Sequence, residues 1–137
     1  MTETAPDLQD RVEQSLIRVF SDAFPDVTIA SWSSPAPEKG KSIGIRAQSE
    51  GEDPIGTNMF NTSIEIEARN LNYAERELMR QMVGNSRSAV LTLSEYNQGK
   101  FSMPRGQPIE VLQGNRAAEN ENDRITTYTL SALLQPI

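Results

Sequence analysis

The sequence contains no cysteine and no histidine, and these two absences exclude several kinds of chemistry. Without cysteine the chain has no disulfide, no thiolate nucleophile and no zinc site of the cysteine type. Without histidine it lacks the commonest general base and the commonest metal ligand in proteins. Because both are missing, we expect a protein that is not an enzyme and that has no metal site and no bound cofactor.

Basic residues and long apolar runs are also scarce. The chain has 13 lysines and arginines against 19 acidic residues, a net charge of −6, and its basic residues are scattered. Proteins that grip nucleic acid neutralise phosphates with clustered basic side chains, so this balance disfavours such a role. No apolar run approaches the ~20 residues of a membrane helix, and the acidic N-terminal stretch lacks the apolar centre of a secretory signal. We therefore expect a protein kept in a cytoplasm, or in a particle assembled there, with no membrane partner.

The chain has the length of one domain, 137 residues, with residues 1–6 expected to form a flexible tail. Its hydrophobic fraction of 36% is lean. A lean fraction suits a thin two-layer fold, or a subunit that completes its burial in an oligomer.

The stretch from Asn58 to Gly84 carries the clearest pattern, a long strand followed by a helix. Its first part alternates with a period of two, which predicts a strand with one buried and one polar face. The residues expected to be buried are Phe60, Thr62, Ile64, Ile66 and Ala68; those on the other face are Asn61, Ser63, Glu65, Glu67 and Arg69.

The period then changes to that of a helix. Asn72 followed by Glu75 predicts a capping box at its start, and Gly84-Asn85 predicts its end. The predicted buried stripe consists of Leu71, Ala74, Leu78 and Met82, widened by Met79 and Val83.

The other predicted elements give an α+β fold of two layers, in which an antiparallel or mixed sheet packs against two helices in the order α-β-β-β-α-(x)-β-β. They are a helix over Leu8–Ala23 capped by Asp7, strands over Val27–Trp32 and Ser42–Gln48, and a terminal hairpin of Pro108–Gln113 and Arg124–Leu134. The segment Ser86–Tyr96, marked (x), fits a short helix or a strand, with the strand slightly favoured. The stretch FSMPRGQP is expected to be irregular.

The acidic side chains are the candidates for chemistry or for contacts. Glu65 and Glu67 share one strand face at ~7 Å, the kind of carboxylate pair that hydrolyses glycosides, but a solvent-facing or subunit-facing surface is the better interpretation. Two acidic loops, one with Glu50, Glu52 and Asp53 and one with Glu119 and Glu121, lack the spacing of a calcium loop. The single tryptophan, Trp32, suits the edge of the core or an interface between subunits. We take these eight residues as candidates for a subunit or partner interface.

Taken together, the N-terminal helix, the strand pair, the long strand GTNMFNTSIEIEAR, the short helix and the terminal hairpin ending DRITTYTLSALL resemble the small neck proteins of tailed bacteriophages. The similarity is to tail terminators and related tail-completion proteins. It implies a hexameric ring that caps the tail tube and joins it to the head-side connector or stopper, with DNA passing through the lumen without specific binding. It also implies a virion location and no catalysis. The alternative from the residues alone is an acidic, monomeric adaptor or inhibitor that binds a basic partner.

Overall fold

The computed structural model describes residues 5–31, 40–50, 59–84, 91–103, 110–115 and 125–137. The elements are α1 (Ala5–Ala23), β1 (Thr28–Ser31), β2 (Ser42–Glu50), β3 (Phe60–Arg69), α2 (Tyr73–Met79) with a π-helical turn over Arg80–Gly84, α3 (Ser94–Asn97), β4 (Phe101–Ser102), β5 (Glu110–Asn115) and β6 (Ile125–Pro136). The predicted α+β class and the order of its main elements are confirmed. In this part of the chain, none of the helices combines the length and apolarity needed to cross a membrane.

The strands form one mixed sheet in the order β1-β2-β3-β6-β4, and β5 also pairs with β6. Only β1 and β2 are parallel; the other pairs are antiparallel. The central strand β3 pairs with β6 along its whole length on one side, and with β2 from Asn61 to Arg69 on the other. Strands β5 and β6 form the predicted terminal hairpin, with an irregular register between Val111 and Gln113.

One face of this sheet and the helices enclose the core. On β3, the five residues predicted to be buried are all within 1% of full burial, and Thr126, Tyr128, Leu130, Ala132 and Leu134 of β6 are buried beside them. Helix α1 covers this face with Leu8, Val12, Leu16 and Phe20, all fully buried. The alternation of β-branched and polar residues therefore sets the orientation of both long strands.

Polar side chains of α1 contact the edge of β2 beyond its described pairing with β1. Within the described residues, β1 pairs with β2 as far as Ile45, opposite Ser31. Beyond that point the Glu13 carboxylate accepts a hydrogen bond from the Ala47 backbone N–H at 3.0 Å, and Gln9 donates to the Ser49 carbonyl at 3.4 Å. Both backbone groups therefore have hydrogen-bond partners on α1.

A second polar contact joins α1 to α3. The Ser15 hydroxyl is fully buried, lies 2.9 Å from the Ser94 hydroxyl and accepts a hydrogen bond from the Glu95 backbone N–H at 3.2 Å. At the surface above it, Arg18 and Glu95 form an ion pair of 3.1 Å.

The predicted start of the first helix was wrong by one turn. Helix α1 begins at Ala5, so Asp7 lies in its first turn and not at its cap. Ala5 and Pro6 thus belong to the helix and not to the predicted tail, and residues 1–4 lie outside the described part. Proline is accepted in the first turn of a helix because the N–H that it lacks would have no partner there. Pro6 is therefore compatible with the earlier start.

Helix α2 starts as predicted but is rotated relative to the predicted buried stripe. Asn72 and Glu75 form the capping box, with hydrogen bonds of 2.8 and 3.0 Å in the two directions. However, Ala74 is exposed, Leu78 is 36% exposed and Met82 is half-buried, whereas Met79 and Val83 are buried. The line of Met79 and Val83, not that of Ala74 and Leu78, faces the sheet.

The preference for a strand in Ser86–Tyr96 was wrong for its last residues. Leu91 and Leu93 are buried without strand pairing, and α3 begins at Ser94. A turn over Gln98 and Gly99 follows α3, with Gly99 in the left-handed region at φ +76°. Phe101 and Ser102, expected to be irregular, pair with Pro136 and Gln135 of β6. Residues 85–90 lie outside the described part.

Candidate functional site

The sheet has a second face, opposite the core, on which none of the described helices packs; we call it the outer face. It is formed by Arg46 and Gln48 of β2, Ser63, Glu65, Glu67 and Arg69 of β3, and Thr127, Thr129, Ser131 and Leu133 of β6. Arg46 and Gln48 are exposed and the others are half-buried. Because the three strands lie side by side in register, these residues form a continuous surface that is polar apart from Leu133.

The two candidate glutamates lie on the outer face as predicted, and each is paired with an arginine. Arg46 of β2 donates from Nη2 to Glu65 Oε2 at 2.7 Å, across the strand pair. Arg69 donates from Nε to Glu67 Oε1 at 2.5 Å along β3 itself. Each carboxylate is thus neutralised by its own guanidinium, an arrangement that suits surface recognition better than acid–base catalysis by the pair.

Hydroxyl groups occupy the middle of the outer face. Ser63 stands opposite Ser131, while Thr129 and Thr127 stand opposite Glu65 and Glu67. Such short polar side chains give a nearly flat surface that loses little side-chain entropy when it is covered. Nothing in the alternation pattern distinguishes this hydroxyl row from an ordinary solvated strand face.

The structure does not describe the side chains of the remaining predicted interface residues. Trp32, Glu52, Asp53, Glu119 and Glu121 lie outside the described part of the chain. Glu50 is the last residue of β2, opposite Asn61 of β3, and its side chain is also outside the described part. Among the residues that are described, no group of three or more aspartates, glutamates, histidines or cysteines is placed to hold a metal ion.

A cleft that the sequence did not predict lies between α2 and the end of the sheet; we call it the α2 cleft. Its apolar lining comes from Ala68, Leu71 and Met79, and its polar lining from Arg76, Arg80, Thr126 and Tyr128. Both charged residues of this lining are arginines from successive turns of one helix. Their spacing of four residues was the only available signal, and it is common on solvated helices.

Tyr73 precedes Arg76 by three residues on the same helix, and it is 72% exposed. Residues three apart are neighbours on a helix surface, so Tyr73 lies on the side of α2 that bears the cleft. Arg80 donates from Nη2 to Glu77 at 2.5 Å, and 55% of its side chain remains exposed. The guanidinium of Arg80 therefore remains partly accessible at the α2 cleft.

The start of α2 is held by a further ion pair. Burial acts to raise the pKa of Glu75, but the ammonium of Lys41 at 2.8 Å and the Asn72 backbone N–H outweigh it, so that the pKa lies below its ordinary value. Asn70, in the left-handed region at φ 60°, donates from its side chain to the Gly40 carbonyl at 2.9 Å. These contacts fix α2 to the chain that enters β2.

Comparison with known proteins adds no assignment, since the chain matches no model of a known protein family and no curated protein sequence.

Proposed function

We propose that this chain is a structural subunit of the neck of a tailed bacteriophage, of the tail-terminator type, and that it acts by binding other protein subunits. The observation that carries the proposal is the outer face: a broad polar face of three long strands on which none of the described helices packs. A sheet covered on one face only has a surface available for a neighbouring subunit, and Glu65 and Glu67 lie on it.

The composition and the resemblance of the strand and helix order to tail-terminator proteins support the same proposal. Because only 36% of the residues are hydrophobic, we expect the subunit to bury further surface in an assembly. A net charge of −6 suits a lumen through which DNA slides, since like charge discourages sticking. In this proposal the copies form a ring, most simply a hexamer, between the tail tube protein and the head-side connector or stopper, within the virion.

Native mass spectrometry of the purified chain, alone and with a tail tube protein, tests the proposal. We expect a closed oligomer of one stoichiometry, and a ring in negatively stained images. A chain that stays monomeric in both conditions and binds a basic protein one to one, in a salt-sensitive manner, contradicts the proposal and favours the adaptor or inhibitor alternative.

A bulky charged side chain in the middle of the outer face tests whether this face is buried. We expect Ser63→Arg to lower the fraction of assembled protein at least tenfold, because a guanidinium would be forced into the covered surface. Ser21→Arg, the same change at an exposed position near the end of α1, serves as the matched control. Unchanged assembly of folded Ser63→Arg would exclude the outer face as the contact surface.

A further inference from the structure

The carboxylate of Glu13 on α1 contacts two strands at the edge of the sheet. Its Oε1 accepts a hydrogen bond from the Ala47 backbone N–H at 3.0 Å, and its Oε2 accepts one from the Ser31 hydroxyl at 3.2 Å. Four residues earlier on the same helix, Gln9 donates to the Ser49 carbonyl at 3.4 Å. We call the hydrogen bonds of Gln9 and Glu13 to β2 the edge contacts.

The edge contacts engage backbone groups that a neighbouring strand would otherwise pair with. The Thr28 N–H donates to the Lys41 carbonyl, so Lys41 and every second residue after it direct their backbone groups toward β1. Ala47 and Ser49 belong to this series. A further strand on this side would offer a carbonyl oxygen to the Ala47 N–H, but the negatively charged oxygen of Glu13 already lies there.

Helix α1 also shields this part of β2 from solvent. Ala47 and Ser49 are 3% and 8% exposed, and the side chains that bond to them are half-buried. Sheets are commonly protected from pairing with other chains by a helix that covers the edge or by a charged side chain that points toward it. Helix α1 provides both, because it covers Ala47 and directs the Glu13 carboxylate at its N–H.

We propose that the edge contacts prevent strands of other copies of this chain from pairing with β2 at Ala47–Ser49. They act as a contact within the chain that inhibits one mode of association. The inference goes beyond the proposed function, because it concerns an edge that is kept out of assembly and not the outer face.

Replacing Glu13 tests the inference, and the chain offers matched controls. Glu13→Ala removes both hydrogen bonds of the carboxylate. Glu13→Gln keeps an oxygen that can accept from Ala47 and adds an amide that can donate to Ser31. Asp10→Ala removes an exposed acidic group from the same helix and so controls for the loss of charge. Circular dichroism confirms that each variant is folded, and Gln9→Ala, which removes a single edge contact, replaces Glu13→Ala if that variant does not fold.

Amide hydrogen exchange, followed by NMR, measures whether the N–H of Ala47 is protected. We expect this N–H to exchange roughly tenfold faster or more in Glu13→Ala, because its acceptor is lost. Exchange should stay at the wild-type rate in Glu13→Gln and in Asp10→Ala. The N–H of Ile66 in the central strand, which should not change, serves as the internal reference.

Sedimentation velocity over a range of protein concentrations measures association. We expect Glu13→Ala to form species larger than those of the wild type, which grow with concentration and show the infrared signal of strands paired between molecules. Glu13→Gln should sediment like the wild type. Ser15→Ala weakens the attachment of α1 but keeps the edge contacts, so it should not form these species even though it is less stable.

Three outcomes overturn the inference. If Ala47 exchanges at the wild-type rate in folded Glu13→Ala, the carboxylate does not protect the edge. If exchange is faster but no larger species form, the edge contacts only stabilise the fold. If Ser15→Ala associates as strongly as Glu13→Ala at equal stability, partial unfolding and not the edge is the cause. A wild type that stays monomeric contradicts the proposed function but agrees with this inference.

Discussion

Among single residues, Ser15 links the first helix to the segment after α2. Its hydroxyl is fully buried and accepts a hydrogen bond from the backbone N–H of Glu95. Without the hydroxyl, this N–H would lose its partner on α1. We expect Ser15→Ala to lower the free energy of unfolding by about 1–3 kcal/mol, the cost of a buried polar group without its hydrogen bond. Urea denaturation measures the change.

The control for Ser15 is Ser21→Ala on the same helix. Ser21 is exposed, so its replacement changes the intrinsic helix propensity in the same direction without breaking a buried hydrogen bond. Equal stability of the two variants would contradict a structural role for the Ser15 hydroxyl.

Glu75 gives a prediction about pH. Its folded pKa lies below the ordinary value of 4.5, because Lys41 and the Asn72 N–H outweigh burial. A group whose pKa is lowered by folding contributes stability above its unfolded pKa, and this contribution is lost as pH falls through the folded pKa. We therefore expect the free energy of unfolding of Glu75→Gln to depend less on pH than that of the wild type below about pH 4.5.

An NMR titration of the Glu75 carboxyl checks the cause directly. Lys41→Met removes the neighbouring ammonium, so the pKa of Glu75 should rise in that variant. A Glu75 carboxyl that titrates at or above 4.5 in the wild type would contradict the proposed effect.

Among the elements, α2 allows its orientation to be tested by two neighbouring residues. Met79 is 1% exposed and faces the sheet, whereas Leu78 is 36% exposed. We expect Met79→Ala to lower the free energy of unfolding by about 2–5 kcal/mol and Leu78→Ala by less than about 1 kcal/mol. Thermal denaturation of both variants measures this, and the reverse order would mean that the line of Ala74 and Leu78 faces the sheet.

The elements also differ in how far the sequence could predict them. In β3 and β6 most apolar and polar residues alternate, and the exceptions (Thr62 and Thr126 on the buried face, Leu133 on the outer one) are too few to obscure the period, so the buried face followed from the residues alone. In α2 two apolar lines, through Leu78 and through Met79, run side by side. The choice between them depends on packing against Ala68 and Tyr128, which only the folded chain brings close.

The difference between local patterns and contacts made only in the folded chain also explains which features of the candidate surfaces could be predicted. Glu65 and Glu67 could be placed on one strand face because the spacing of two is local. The same alternation placed Arg69, the partner of Glu67, on that face, whereas the pairing of Arg46 with Glu65 was not predicted, since it requires the register of β2 on β3. The α2 cleft combines β3, α2 and β6, so it was beyond any local pattern.

At the scale of the whole molecule, the sheet divides the surface into two unlike sides. The described helices and the core occupy one side, and the outer face occupies the other. The α2 cleft lies at one end of the sheet, beside Ala68 and Thr126, on the side of the helices. The outer face and the α2 cleft therefore lie on opposite sides of the sheet.

The topology of the sheet also affects when its strands can pair during synthesis. The ten residue pairs between β3 and β6 connect segments separated by roughly half of the chain. Such non-local pairing slows folding, because the entropy of closing a long loop is lost before the strand contacts stabilise the fold. While the chain is being synthesised, β3 therefore has an open edge until β6 emerges, and an open edge invites pairing with other chains. We therefore expect this topology to expose nascent chains to premature association, which ends when β6 pairs with β3.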